Sequence, residues 1–148
     1  YRILKDSFKA EDIMQESFLT AFTSLDTLKD ISVFGSWLKR IVINNSISEY
    51  KKIKKDNNVP IDDILYKVEN DQGIASDHDW TNIKAAQILQ CMKSLKENYQ
   101  IVLTLFLIEG YDYEEIGEIM DISYANCRTM ISRAKDSLRQ KLKPVVGF

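Results

Sequence analysis

The sequence predicts an all-α protein made of two small helical domains, and three observations lead there. Apolar residues recur three or four apart over long stretches, alternating strand-like runs are few, and only two Pro and five Gly interrupt the 148 residues. At 45% hydrophobic content the chain carries apolar mass for one moderate core or two small ones.

The first block covers residues 1–55. Ile13, Phe18, Leu19 and Phe22 supply the apolar set of one predicted helix, and Trp37, Leu38, Ile41, Val42 and Ile47 that of another. Trp37 sits among Phe34, Leu38 and Ile41, which favours a core anchor over a base-stacking platform. Residues 56–82 change character. Asp56-Asn57-Asn58-Val59-Pro60 breaks the helical pattern, and the polar, acidic stretches around Glu69-Asn70-Asp71 and Asp77-His78-Asp79 predict a flexible acidic linker. The second block, 83–148, is again helical. Its nearly continuous apolar run Ile101 to Ile108 predicts a segment crossing the core of a small bundle, and Pro144 is expected to end the last helix.

Within the second block, Tyr113 to Leu142 reads as a helix-turn-helix. Ile116, Ile119 and Met120 recur at helical spacing, and Gly117 leaves a small surface for close crossing by a second helix. Asp121 suits the reversal, because Asp tolerates a left-handed backbone at modest cost. Ser123 is a helix cap, with Asn126 completing only a weak capping box. Cys127, Ile131, Ala134, Leu138 and Leu142 then form the inner stripe of the second helix. Tyr124, Asn126, Arg128, Thr129, Ser132, Arg133 and Lys135 are left on or near the outside, as a candidate face for reading duplex DNA.

Charge placement supports that reading. The formal net charge is only −2, yet residues 128–148 hold six basic side chains against one acid, while 109–127 hold six acids and no base. A merely soluble helix would intersperse its signs; such segregation favours phosphate contact on the basic side. A second basic run, Lys39, Arg40, Lys51, Lys52, Lys54 and Lys55, is an electrostatic track for a nucleic-acid strand, or else a solvated helix end favourably placed against its dipole.

Other classes are poorly supported. Cys91 and Cys127 both fall on apolar stripes and read as buried thiols of a reducing compartment, and with the lone His78 they cannot complete a zinc site. No Gly-rich phosphate loop, matched nucleophile and base, or metal constellation appears, so neither an enzyme nor a cofactor is expected. No apolar run is long enough to span a membrane, so no membrane insertion is expected. The chain starts with Tyr1 inside an amphipathic pattern, which predicts a further N-terminal portion.

Two motif blocks together resemble a known family. Ala10-Glu-Asp-Ile-Met-Gln-Glu-Ser-Phe-Leu-Thr-Ala-Phe, then Phe34-Gly-Ser-Trp-Leu-Lys-Arg-Ile-Val-Ile-Asn-Asn, followed by the helix-turn-helix, are similar to the extracytoplasmic-function sigma factors, the small two-domain branch of the sigma-70 family. The resemblance covers nearly the whole chain. It implies a sigma region 2-like domain in 1–55, N-terminally incomplete, a linker in 56–82, and a sigma region 4-like domain in 83–148. It further implies a cytoplasmic, non-catalytic protein that directs transcription initiation with core RNA polymerase, through the clamp and flap regions, and promoter DNA, with an anti-sigma factor as a possible partner.

By the same resemblance, Asp12, Gln15 and Phe18 fall at the family's spacing in the helix that binds the polymerase clamp. Trp37-Leu38, Arg40-Ile41 and Asn44 follow its order in the helix that captures the melted −10 strand, with Ser36 also fitting. Lys39, Arg40, Asn44, Lys51 and Lys52 are the single-strand set, in which Asn44 offers both donor and acceptor to a flipped base. The chain departs from the family at the start of the recognition helix, where Ala125-Asn126-Cys127 replaces a Gly-Thr-Val type sequence, and at Met130, where an Arg is common. Base preference at the −35 element therefore stays open. The alternative is a stand-alone helix-turn-helix regulator that uses its first block for dimerisation or ligand sensing and needs no polymerase.

Overall fold

The computed structural model describes residues 1–57 and 85–146, and the chain divides into two units between Ile61 and Asp62. Among the described residues there are helices and turns but no strand, in agreement with the all-α expectation. The expected linker lies, from residue 58 onward, outside the described residues.

The first unit is a pair of packed helices. Asp6 caps α1 (Ser7–Thr23) by accepting from the Lys9 amide at 3.1 Å, as expected of a short acidic side chain at an N-terminus. Two single 3₁₀ turns, Leu25–Thr27 and Ile31–Val33, lead to α2 (Phe34–Asp56). Asp30 starts the second turn by accepting from the Ser32 amide at 2.9 Å, and that hydrogen bond holds its carboxyl below the usual range. Lys54 and Lys55 sit in the last turn of α2, where the helix dipole favours positive charge.

The helices meet along Ile13, Ser17 and Ala21 of α1 and Ile43, Ser46 and Ile47 of α2. The contact line of α1 differs from the expected stripe. Of Ile13, Phe18, Leu19 and Phe22 only Ile13 is buried, while Phe22 is 80% exposed. The reason is geometric. Four-residue steps advance about 40° round a helix, so 13, 17 and 21 lie on one line and the small Ser17 and Ala21 let the backbones approach. Trp37 is half-buried and packs against Phe34 with ring centroids 5.9 Å apart, short of the expected core position.

Among its described residues, the second unit wraps three short helices round a long one. α3 (Ala85–Met92), α4 (Glu97–Leu103) and α5 (Tyr113–Met120) all pack on α6 (Tyr124–Val146). Leu103, Leu105, Ile116, Ile131 and Leu138 are fully buried at its centre. Cys91 and Cys127 are buried free thiols, as the sequence predicts.

Two expectations need amendment. Ile101 to Leu105 are buried, but the chain then widens into a π turn over Thr104–Ile108, closed by the Glu109 amide on the Thr104 carbonyl at 3.0 Å. The wider turn takes Leu107 and Ile108 off the buried line, leaving Leu107 49% exposed. Pro144 does not end α6, which continues to Val146. A proline in the final turn removes one helical hydrogen bond where the helix is about to stop anyway.

Candidate nucleic-acid interface

The helix-turn-helix is built by local hydrogen bonds. Asp112 and Glu115 form a reciprocal capping box at the start of α5, with the Glu115 amide donating to Asp112 at 2.8 Å and the Asp112 amide donating to Glu115 at 3.0 Å. This cap is legible in the sequence as an Asp three residues before a Glu, and it adds an unanticipated helix start to the one expected at Ser123. At the other end, Asp121 adopts φ 57°, ψ 50°, the left-handed reversal expected of it. The Ile122 amide donates back to the Gly117 carbonyl at 2.9 Å.

Gly117 is needed for this turn. A Cβ there would stand 3.0 Å from the Ile122 carbonyl oxygen, so the close approach is made by the turn backbone itself, where the sequence pointed to the crossing helix. Ser123 then accepts from the Asn126 amide at 3.2 Å and starts α6 as predicted. Cys127 is fully buried under this corner. Burial, and secondarily the nearby Asp112 charge, push its thiol up.

The outer face of α6 is mixed in exposure. Tyr124, Arg128 and Ser132 are exposed at four-residue spacing, with Ala125 beside them. Asn126, Thr129 and Arg133 are half-buried, and the Thr129 hydroxyl donates to the Ala125 carbonyl at 3.0 Å. Met130 faces the core. Lys135 is half-buried with its ammonium 4.3 Å from the centroid of the Phe106 ring, a cation–π contact with the π turn. Farther along, Arg139 pairs with Asp136 at 2.8 Å.

In the first unit, helical geometry sorts the basic run. At about 100° per residue, Arg40, Asn44, Lys51 and Lys55 share one face of α2, Lys52 borders it, and Lys39 lies about 100° away. Asn44 and Lys52 are exposed; Lys39, Arg40 and Lys51 are half-buried. Lys54 lies over the Tyr50 ring at 5.6 Å. On α1, Asp12 and Gln15 are exposed and share a face with Phe8, Leu19 and Phe22, opposite the buried line of Ile13, Ser17 and Ala21. Phe18, 56% exposed, stands at the edge of that face. No helix among the described residues is long and apolar enough to cross a membrane.

Comparison with known proteins matches both units. The family description "Sigma-70 region 2" matches residues 1–56 and "Sigma-70, region 4" matches residues 85–138, together about three quarters of the chain and in that order. The chain is 29% identical to the ECF RNA polymerase sigma factor SigW of Bacillus subtilis, over 97% of this chain and 80% of that protein. It is 27% identical to the RNA polymerase sigma-H factor of Pseudomonas aeruginosa, over 98% and 79%. It is 26% identical to the ECF RNA polymerase sigma-E factor of Escherichia coli, over 91% and 74%.

In fold it is similar to the sigma factor RpoE of Bartonella quintana, solved in complex with the anti-sigma factor NepR. The TM-score is 0.59 at 20% identity, covering 96% of this chain and 86% of that one. The match of residues 1–56 disfavours a stand-alone regulator, whose first block would serve dimerisation or ligand sensing. With region 2 and region 4 both present and relatives of one kind across nearly its whole length, the chain belongs to the extracytoplasmic-function branch of the sigma-70 family and is an RNA polymerase sigma factor.

Proposed function

We propose that this sigma factor divides promoter recognition between its two basic helices. α6 holds the −35 duplex, α2 traps the unpaired −10 strand, and α1 docks on the polymerase clamp. The observation that carries this reading is the sorting of side chains on α2, where Asn44, Lys52 and Lys55 are exposed on the side away from Ile43, Ser46 and Ile47, with Arg40 and Lys51 half-buried at its edge. A basic face interrupted by one amide suits a strand whose phosphates are neutralised while one base is held by donor and acceptor together.

The work on each side is electrostatic and needs no hydrolysis. Arg128 is placed for a phosphate or a base edge in the major groove, with Tyr124 and Ser132 one turn away on the same face and Thr129, Arg133 and Asn126 farther round the helix. Lys135, over the Phe106 ring, contributes to holding α6 as well as to local positive potential. Unstacking a base costs a few kcal/mol, so a preformed face on α2 lowers the cost of melting in the absence of ATP. Exposed Asp12 and Gln15, with Phe18 at their edge, supply polar and apolar groups for the clamp, and the region 4-like unit takes the flap region. Such partners place the protein in the cytoplasm. The anti-sigma complex of the structurally similar sigma factor from B. quintana supports an inhibitory partner of the same kind here.

Asn44→Ala tests the division of labour. With holoenzyme reconstituted from this chain and core polymerase, the variant should bind polymerase normally and open promoter DNA more slowly, read by a fluorescent base placed in the melted segment. Wild-type opening by the variant would remove Asn44 from the site.

A further inference from the structure

The two helices of the helix-turn-helix are joined at their starts by a chain of aromatic rings. Tyr113 is the first residue of α5 and Tyr124 the first residue of α6. Their rings meet edge to face, with centroids 6.1 Å apart and planes at 82°. On its other side Tyr113 stacks on Phe106 at 5.3 Å and 22°, and Phe106 is carried by the π turn that leaves α4. The Lys135 ammonium closes the far end of the cluster, 4.3 Å from the Phe106 centroid. A run of this kind, aromatic pairs in their preferred geometries with a cation on the last ring, fixes ring orientations as well as burying area.

The consequence falls on Tyr124. It is 48% exposed at the N-terminal end of the helix that faces duplex DNA, where helix-turn-helix proteins place their base contacts, and among the described residues its ring neighbour is Tyr113. Its OH remains a hydrogen-bonding group, while its ring offers an apolar surface. In the major groove the feature that takes an apolar contact is the C5-methyl group of thymine.

We propose that Tyr124 is a specificity-determining residue that selects thymine at one position of the −35 duplex, and that Tyr113, seated on Phe106, is the positioning residue that holds it there. This rests on the reading of α6 as the duplex-binding helix. Tyr113 acts through Tyr124 and touches no base. Holding the ring in advance reduces the ordering cost at binding, so loss of the seat weakens thymine selection before it weakens phosphate contact.

The experiment selects bound duplexes from a pool randomised across the −35 segment, using reconstituted holoenzyme carrying the wild-type chain, Tyr124→Ala, Tyr113→Leu or Tyr113→Phe. Wild type and Tyr113→Phe, which keeps the ring, should enrich thymine at one shared position. Replacing that thymine by uracil, which removes only the methyl group, should weaken binding roughly fourfold. Tyr124→Ala and Tyr113→Leu should lose both the enrichment and the uracil effect while retaining the preference at other positions. Should Tyr113→Leu not fold, Tyr124→Ala and Tyr113→Phe still decide between the outcomes. The same thymine enrichment and uracil sensitivity in Tyr124→Ala as in wild type would overturn the proposal while leaving the duplex-binding role of α6 intact. No sequence enrichment by the wild-type holoenzyme would overturn that role, and the proposal with it.

Discussion

Asn45 donates its side-chain amide to the Ser17 hydroxyl at 3.1 Å, and Ser17 in turn donates to the Ile13 carbonyl at 2.6 Å. This relay ties α1 to α2 at a point where Ser17 has no exposed surface. It lies one residue from Asn44 and on the opposite side of α1 from Asp12 and Gln15, so the contact sets how the two proposed binding faces of the first unit are held on one framework.

Ser17→Leu should therefore be severe. The larger side chain has no room between the helices and would force them apart as well as strand the Asn45 amide. A loss of about 1–3 kcal/mol or more is expected, read as a lower midpoint in urea unfolding followed by circular dichroism. An unchanged midpoint would mean that the helices do not meet at Ser17.

Asp112→Ala removes the acceptor of the Glu115 amide and breaks the capping box at the start of α5. The expected loss is about 0.5–2 kcal/mol in the same unfolding measurement, with Asp112→Asn retaining most of the cap. Equal losses in the two variants would show that charge, and not the hydrogen bond, is what matters at that end.

Arg128→Ala distinguishes the two roles open to an exposed cation on α6. If Arg128 reads a base edge, binding to the preferred duplex should fall by about 1–3 kcal/mol and discrimination should relax at one position. Uniform weakening on all sequences, with a shallower salt dependence, would make it a phosphate contact.

The second unit was the more legible in sequence. Cys127, Ile131, Ala134, Leu138 and Leu142 follow helical spacing without exception, and all are buried. Asp121 and Ser123 perform backbone tasks that their side chains are suited to. The first unit was less legible because its contact line contains Ser17 and Ala21, whose small size serves close approach and gives no hydrophobic signal. The π turn left no trace in a run of apolar residues that suits an ordinary helix equally well. The cluster of Phe106, Tyr113, Tyr124 and Lys135 escaped notice for another reason: its members lie far apart in the chain, and only the fold of the helix-turn-helix brings them together. Lys135 reads in the sequence as a charge on the outer side of α6, while in the structure that charge rests on a ring.

On the proposed reading, this chain works on core RNA polymerase through the exposed face of α1. The most direct measurement is co-elution of the protein with bacterial core polymerase, comparing wild type with a variant carrying both Asp12→Ala and Gln15→Ala, residues exposed on the side of α1 away from its core. Tight binding by the wild type that the double variant loses, with its helical content unchanged, is the predicted result. Equal binding by both would contradict the assignment of that face, and no binding by the wild type would contradict the polymerase-dependent account.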